Sequence, residues 1–259
     1  MVTTGQVMGY VMAIALPLIA GLIPFYVFWR CSSKIERGML GAMGYGMAGY
    51  FWQKIIYGFL GLLAITNLKD GLNATGGNAV FVAFVEALAS SLFVAVGLYW
   101  GIYLTNTKPR SLYRSATVGI GFGLGAAILE YGFSLYHAVQ INMGIFTGHD
   151  SEKMRILTTS TVSLYVDAYR NILFVMIYMG VALLIGKYYL EKNRVASWAT
   201  PILVYMLMRF TDVLLNTYVP LVAAKSIYLV VLTLLAAASL WMVVQWMKKG
   251  NVELGQRKK

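Results

Sequence analysis

The chain reads as an all-α protein, a polytopic membrane helical bundle of about seven transmembrane helices. Three observations predict this. Hydrophobic residues make up 59% of the 259 residues against 12% charged, too little polar surface to cover a soluble globule. Apolar stretches repeatedly reach the roughly 20 residues that a helix needs to cross a bilayer. Basic residues gather in alternate connections between those stretches.

The first predicted span, 7–29, has no charge before Arg30, so it lacks the basic leader of a cleaved signal and reads as a retained helix. The second, 38–66, carries Gly38, Gly41, Gly44, Gly46 and Gly49, then Gln53 and Lys54. The third, 80–104, contains Glu86, and the fourth, 116–146, contains Gly119, Gly121, Gly123, Gly125, Glu130 and His137. Asp167, Arg170 and Asn171 fall in the fifth, 161–186, and Arg209, Asp212 and Asn216 in the sixth, 198–221. The seventh, 226–247, has no charged residue. The longer spans must tilt, kink or protrude. Residues 1–259 form a single transmembrane domain, because no extramembrane stretch is long enough for a separate fold. The connections Asn67 to Ala79 and Thr147 to Ser160, rich in Gly, Asn, Thr and Ser, read as mobile connectors.

Orientation follows from charge. Arg30, Lys34, Arg37, Lys108, Arg110, Arg114, Lys187, Lys192, Arg194, Lys248, Lys249, Arg257, Lys258 and Lys259 fall on one side, and Lys69, Lys153, Arg155 and Lys225 on the other. The positive-inside rule then puts the N-terminus outside and the C-terminus in the cytoplasm of a multi-pass cell-membrane protein. Trp29, Trp100, Trp198 and Trp246 sit at the same ends, where an amphipathic ring favours the headgroup level. The expected partners are therefore the lipid bilayer and anionic lipid at the cytoplasmic face. The net charge of +11 implies no nucleic acid, because no basic stripe with interleaved aromatics accompanies it. Cys31, the single cysteine, excludes an internal disulfide and stands at a juxtamembrane position where palmitoylation occurs.

The glycines of spans two and four remove side chains where helices can approach closely, which drives packing in lipid and places these two helices at the centre. They also permit local kinking beside a site. Ionisable residues inside spans are the place to look for function, since each costs roughly 2.5–3.5 kcal/mol at mid-bilayer without a partner. Asp167 with Arg170, and Arg209 with Asp212, are three apart and can pair on their own helices. Asn171 and Asn216 extend those polar faces, so spans five and six are expected to meet through a hydrogen-bonded network, either as structural glue or as a working site. Glu86, Glu130 and Lys54 have no such local partner, and Lys54 between the two carboxyls is the economical arrangement. His137, seven residues after Glu130, shares its face and raises a proton relay or metal pair. With two histidines, one cysteine and no His-Glu-x-x-His, no metal site and no cofactor are expected.

Gly123-Leu124-Gly125-Ala126-Ala127-Ile128-Leu129-Glu130 resembles the Gly-x-Gly-His-Gly-Gly-x-Glu segment of the YhfC-type intramembrane peptidases, relatives of the prenyl-protein-processing and bacteriocin-processing membrane proteases. Phe51-Trp52-Gln53 in a glycine-rich second span and Glu86 in the third are similar too. The resemblance implies a cavity around Glu86 and Glu130. The family's third-span Glu-Glu-x-x-Arg is interrupted here by Ala87 and Ser90, its span-four histidine position is Ala126, and spans five and six hold no histidine. Loss of the groups that activate water and polarise a carbonyl implies a non-catalytic member, a binding or scaffold component for a membrane protein or peptide partner. Two alternatives stand beside it. One is a glutamic-type intramembrane protease using Glu86 and Glu130, and the other a proton- or cation-coupled transporter of small solutes.

Overall fold

Hydropathy sets where this chain turns helical, and small residues set how closely the helices pack. The computed structural model describes residues 1–31, 38–61, 79–105 and 112–256. Among them are α1 (Thr4–Cys31), α2 (Met39–Ile56) running into a π-helical turn (Tyr57–Gly61), α3 (Ala79–Thr105), α4 (Leu112–Met143), α5 (Asp150–Thr158), α6 (Thr161–Leu190), α7 (Arg194–Tyr218) and α8 (Leu221–Gln256), with no strand among the described residues. The protein is an all-α bundle. Helices α1, α3, α4, α6, α7 and α8 are each long and apolar enough to cross a membrane. The expected second span corresponds to α2 and its π turn, with residues 62–66 outside the described ones. Most of the connector 67–79 and the basic residues Lys34, Arg37, Lys69, Lys108, Arg110 and Arg257 to Lys259 also lie outside them.

Close approaches at glycines fix how neighbouring helices run. Gly49 meets Gly97, and Gly101 meets Tyr45, so α2 and α3 are antiparallel. Met43 meets Gly121 and Met47 meets Gly125, so α2 and α4 are parallel. Gly119 meets Tyr178 and Gly123 meets Val175, so α4 and α6 are antiparallel. Gly5 meets Thr161 and Gly9 meets Leu164, so α1 and α6 are parallel. Glu86 meets Arg209 and Tyr99 meets Trp198, so α3 and α7 are antiparallel. Tyr169 meets Thr233 and Gly180 meets Ser239, so α6 and α8 are parallel. The face where α1 begins, here the N-terminal face, therefore also holds the ends of α2, α4 and α7 and the starts of α3, α6 and α8.

The run Gly119, Gly121, Gly123, Gly125 interleaves two rows. Residues four apart share a helix face, whereas residues two apart point about 200° away. Gly119 and Gly123 lie against the α6 backbone, and Gly121 and Gly125 against the α2 backbone. A Cβ at Gly121 would run into the Met43 carbonyl, and one at Gly119 into the Tyr178 carbonyl. Helix α4 is consequently the buried centre, bounded by α1, α2, α3 and α6. The expectation for span two holds on one side only. Met39, Ala42, Gly46, Gly49, Tyr50 and Gln53 form the buried stripe of α2, while Gly41 and Gly44 face open space. That spacing of three and four presents one helix face inward, and the remaining glycines fall outside it.

The segment Thr147 to Ser160, expected to be a connector, contains α5. Asp150 and Glu152 in its first turn complement the helix dipole. Its fully buried Ile156 packs with Tyr10, Ala13, Tyr131, Ala138 and Leu164. Gln6 closes the other end: its Nε2 donates to the carbonyls of Leu157 (3.1 Å) and Thr159 (2.6 Å), acceptors that a helix C-terminus leaves free.

Candidate functional site

The ionisable residues of the spans all fall toward the N-terminal face. At about 1.5 Å per residue, Glu86, Asp167, Arg170, Arg209 and Asp212 lie about 9–14 Å inside their helix ends on that side. At this depth six elements surround a cavity of about 290 Å³. Gln53, Lys54 and Tyr57 come from the end of α2, Ser90 from α3, Glu130 from α4, Arg170 and Phe174 from α6, Tyr205, Met208, Arg209 and Asp212 from α7, and Tyr228 from α8. Two further cavities adjoin it. One of about 350 Å³ shares Arg170, Asp212 and Tyr228 and is lined also by Asn216 and Lys225. Another, of about 490 Å³, shares Lys54 and Glu130 and reaches Arg155 and Thr159 at the edge of α5. Shared walls make one charged vestibule.

Three cations of the spans, Lys54, Arg170 and Arg209, hold the four carboxylates Glu86, Glu130, Asp167 and Asp212. Arg209 spans two acids: its Nη1 donates to Asp212 Oδ2 and its Nη2 to Glu86 Oε1, each at 2.9 Å. The first pair is local to α7, and the second ties α7 to α3. Asn216 Nδ2 adds a 3.0 Å bond to Asp212 Oδ1. Arg170 pairs with Asp167 on α6 at 3.2 Å and donates to Tyr131 Oη on α4 at 2.9 Å. Glu130 accepts from Tyr50 Oη at 2.8 Å and from Lys54 Nζ at 3.1 Å. Each contact replaces part of the solvation lost on leaving water.

Three sequence expectations are corrected by this geometry. Lys54 does not bridge Glu86 and Glu130: it pairs with Glu130, because α2 runs parallel to α4, while Glu86 on α3 faces Arg209 on the antiparallel α7. Asn171 does not reach span six, since its Nδ2 donates to the Ala13 carbonyl on α1 at 3.1 Å. His137 does not join Glu130 but meets Glu152 of α5, with 2.9 Å between Nδ1 and Oε1. Seven residues restore nearly the same face yet advance about 10 Å along the axis, which carries His137 out to the surface helix.

Spans five and six do share the vestibule, through Arg170 and Asp212. Gln53 lines it at 6% exposure, and its Oε1 has no hydrogen-bond partner among the described residues. The same holds for Arg170 Nε. Glu86 is not among the lining residues, although its partner Arg209 is. Sequence reasoning missed Tyr50, Tyr131, Tyr205 and Tyr228. Their only signal was a high tyrosine content, 18 residues, in an apolar chain, where a buried phenol needs a polar partner. Among the described residues no three His, Cys, Asp or Glu side chains stand together as a metal set.

Fold and site together define a polytopic helical membrane protein with a charged vestibule at one end of its bundle. Compared with protein-family models, with curated proteins and with solved structures, the chain matches none of them.

Proposed function

We propose that this chain is a non-catalytic membrane binding component, of seven spans with its N-terminus outside, whose vestibule holds a polar ligand or partner segment without turning it over. The observation that carries the reading is the pairing of the carboxylates. A glutamic-type hydrolase needs a carboxylate free to take a proton from water beside the scissile bond. Glu86 is instead bound by Arg209 and is not among the cavity's lining residues, and Glu130, which does line it, carries both Lys54 and Tyr50 on Oε1. The resemblance to YhfC-type peptidases fits the same reading, with Glu86 and Glu130 kept and the arginine and histidine positions replaced by Ser90 and Ala126. A vestibule that stays while the water chemistry goes is the expected form of such a relative.

The test uses purified protein in nanodiscs with a helical membrane substrate. The substrate is expected to remain intact. Cleavage by the wild type that disappears in Glu86→Gln would overturn the proposal.

A further inference from the structure

Lys225 is an exposed residue that lines the 350 Å³ cavity between α6, α7 and α8. Lys54, Arg155, Arg170 and Arg209 each contact a carboxylate, whereas Lys225 has no ion-pair partner among the described residues. Asp167 and Asp212 line the same cavity, but each is already held by an arginine, at 3.2 Å and 2.9 Å. The ammonium is left uncommitted. Lys225 stands one turn from the start of α8 at the N-terminal face, near enough to water to stay charged. Two hydroxyls join it. Ser163 on α6 and Tyr228 on α8 line the cavity, and neither side-chain oxygen is hydrogen-bonded or sealed from solvent among the described residues. An ammonium and two hydroxyls can all donate, which suits an acceptor with several lone pairs. The volume lies at the lower end of the roughly 300–1,000 Å³ usual for small-molecule sites, which restricts the occupant to a compact one.

We infer that this cavity binds a small oxyanion, a carboxylate or phosphate, between Lys225, Ser163 and Tyr228. Lys225 balances the negative charge, and the two hydroxyls donate to the oxygens. Asp167 and Asp212 stay with their arginines and do not compete for the ammonium. This site rests on the binding reading above and gives it a ligand class. The chemistry is met by a free anion arriving from water or by the phosphate of an anionic lipid headgroup at the same face.

The experiment is calorimetric titration of the full chain in phosphatidylcholine nanodiscs at constant ionic strength. The probes are acetate and inorganic phosphate, with potassium chloride as the control. Nanodiscs containing phosphatidylglycerol supply the lipid arm, read as thermal stabilisation. Saturable binding of an oxyanion should fall at least about tenfold in Lys225→Gln and survive in Lys225→Arg. Ser163→Ala and Tyr228→Phe should each weaken it about threefold to tenfold, the loss of one hydrogen bond. The groups removed bond no other side chain or backbone atom among the described residues, so the empty variants should unfold like wild type. A response to phosphatidylglycerol alone, with the same dependence on all three residues, supports the same chemistry from the lipid source. No Lys225-dependent response to either source, or chloride binding as tight as the oxyanions, overturns the inference. A Lys225-dependent response unchanged in both Ser163→Ala and Tyr228→Phe also overturns it, because the anion then sits outside the cavity. Such a failure with the membrane substrate still intact leaves the binding reading standing. Glu86-dependent cleavage removes that reading whatever the anions do.

Discussion

Arg209→Met should be the most damaging single change in the vestibule that leaves helix packing alone. Arg209 holds two carboxylates from two helices at 2.9 Å each, and the Glu86 side chain is only 14% exposed. Hydrogen bonds to charged groups contribute roughly 1.5–3 kcal/mol each when shielded. The Arg209 side chain is 37% exposed, and screening at that exposure brings the total to about 2–4 kcal/mol. Much of the loss is Glu86 left charged and unpaired, so adding Glu86→Gln should recover about 1–2 kcal/mol. The assay is reversible unfolding in mixed micelles of the two single variants, the double variant and wild type, read as a double-mutant cycle. A double variant no more stable than Arg209→Met alone would refute the pairing of α3 with α7 through these residues. A loss below about 0.5 kcal/mol in Arg209→Met would do the same.

Three further outcomes follow from the geometry. Lys54→Met should cost under about 1 kcal/mol in the same assay, because both members of its pair are more than 40% exposed, at 46% and 41%; a loss matching Arg209→Met contradicts the ranking. Gly121→Ala should abolish folded protein in size-exclusion profiles, since its Cβ meets the Met43 carbonyl, whereas Gly44→Ala in open space should gain up to about 1 kcal/mol from helix propensity, and equal behaviour of the two would sink the two-row packing of α4. Gln6→Leu should speed hydrogen exchange across 150–159 with little change in global unfolding, because Gln6 Nε2 holds the carbonyl end of α5 in place; exchange as slow as in wild type would show that Ile156 alone anchors it.

What was legible before folding was everything set by neighbours in sequence. Apolar runs marked the helices because the bilayer accepts little else. The pairs Asp167–Arg170 and Arg209–Asp212 form at the three-residue spacing that any helix brings together. The alternating glycines of 119–125 announced close packing on α4, since only missing side chains let backbones meet in lipid. The partners of Glu86 and Glu130 were not legible in the same way. Lys54 and Glu130 are 76 residues apart, and Glu86 and Arg209 are 123 apart. Spacing along the chain says nothing about which helices become neighbours. Only the bundle's arrangement, α2 parallel to α4 and α3 antiparallel to α7, decided which carboxylate met which cation. It also brought the ionisable residues to one depth, because reversing the chain at each connection puts the starts of α3, α6 and α8 level with the ends of α2, α4 and α7. The vestibule is the physical consequence. Charges that are costly singly in lipid become tolerable when tertiary contacts gather them near one face and pair them there.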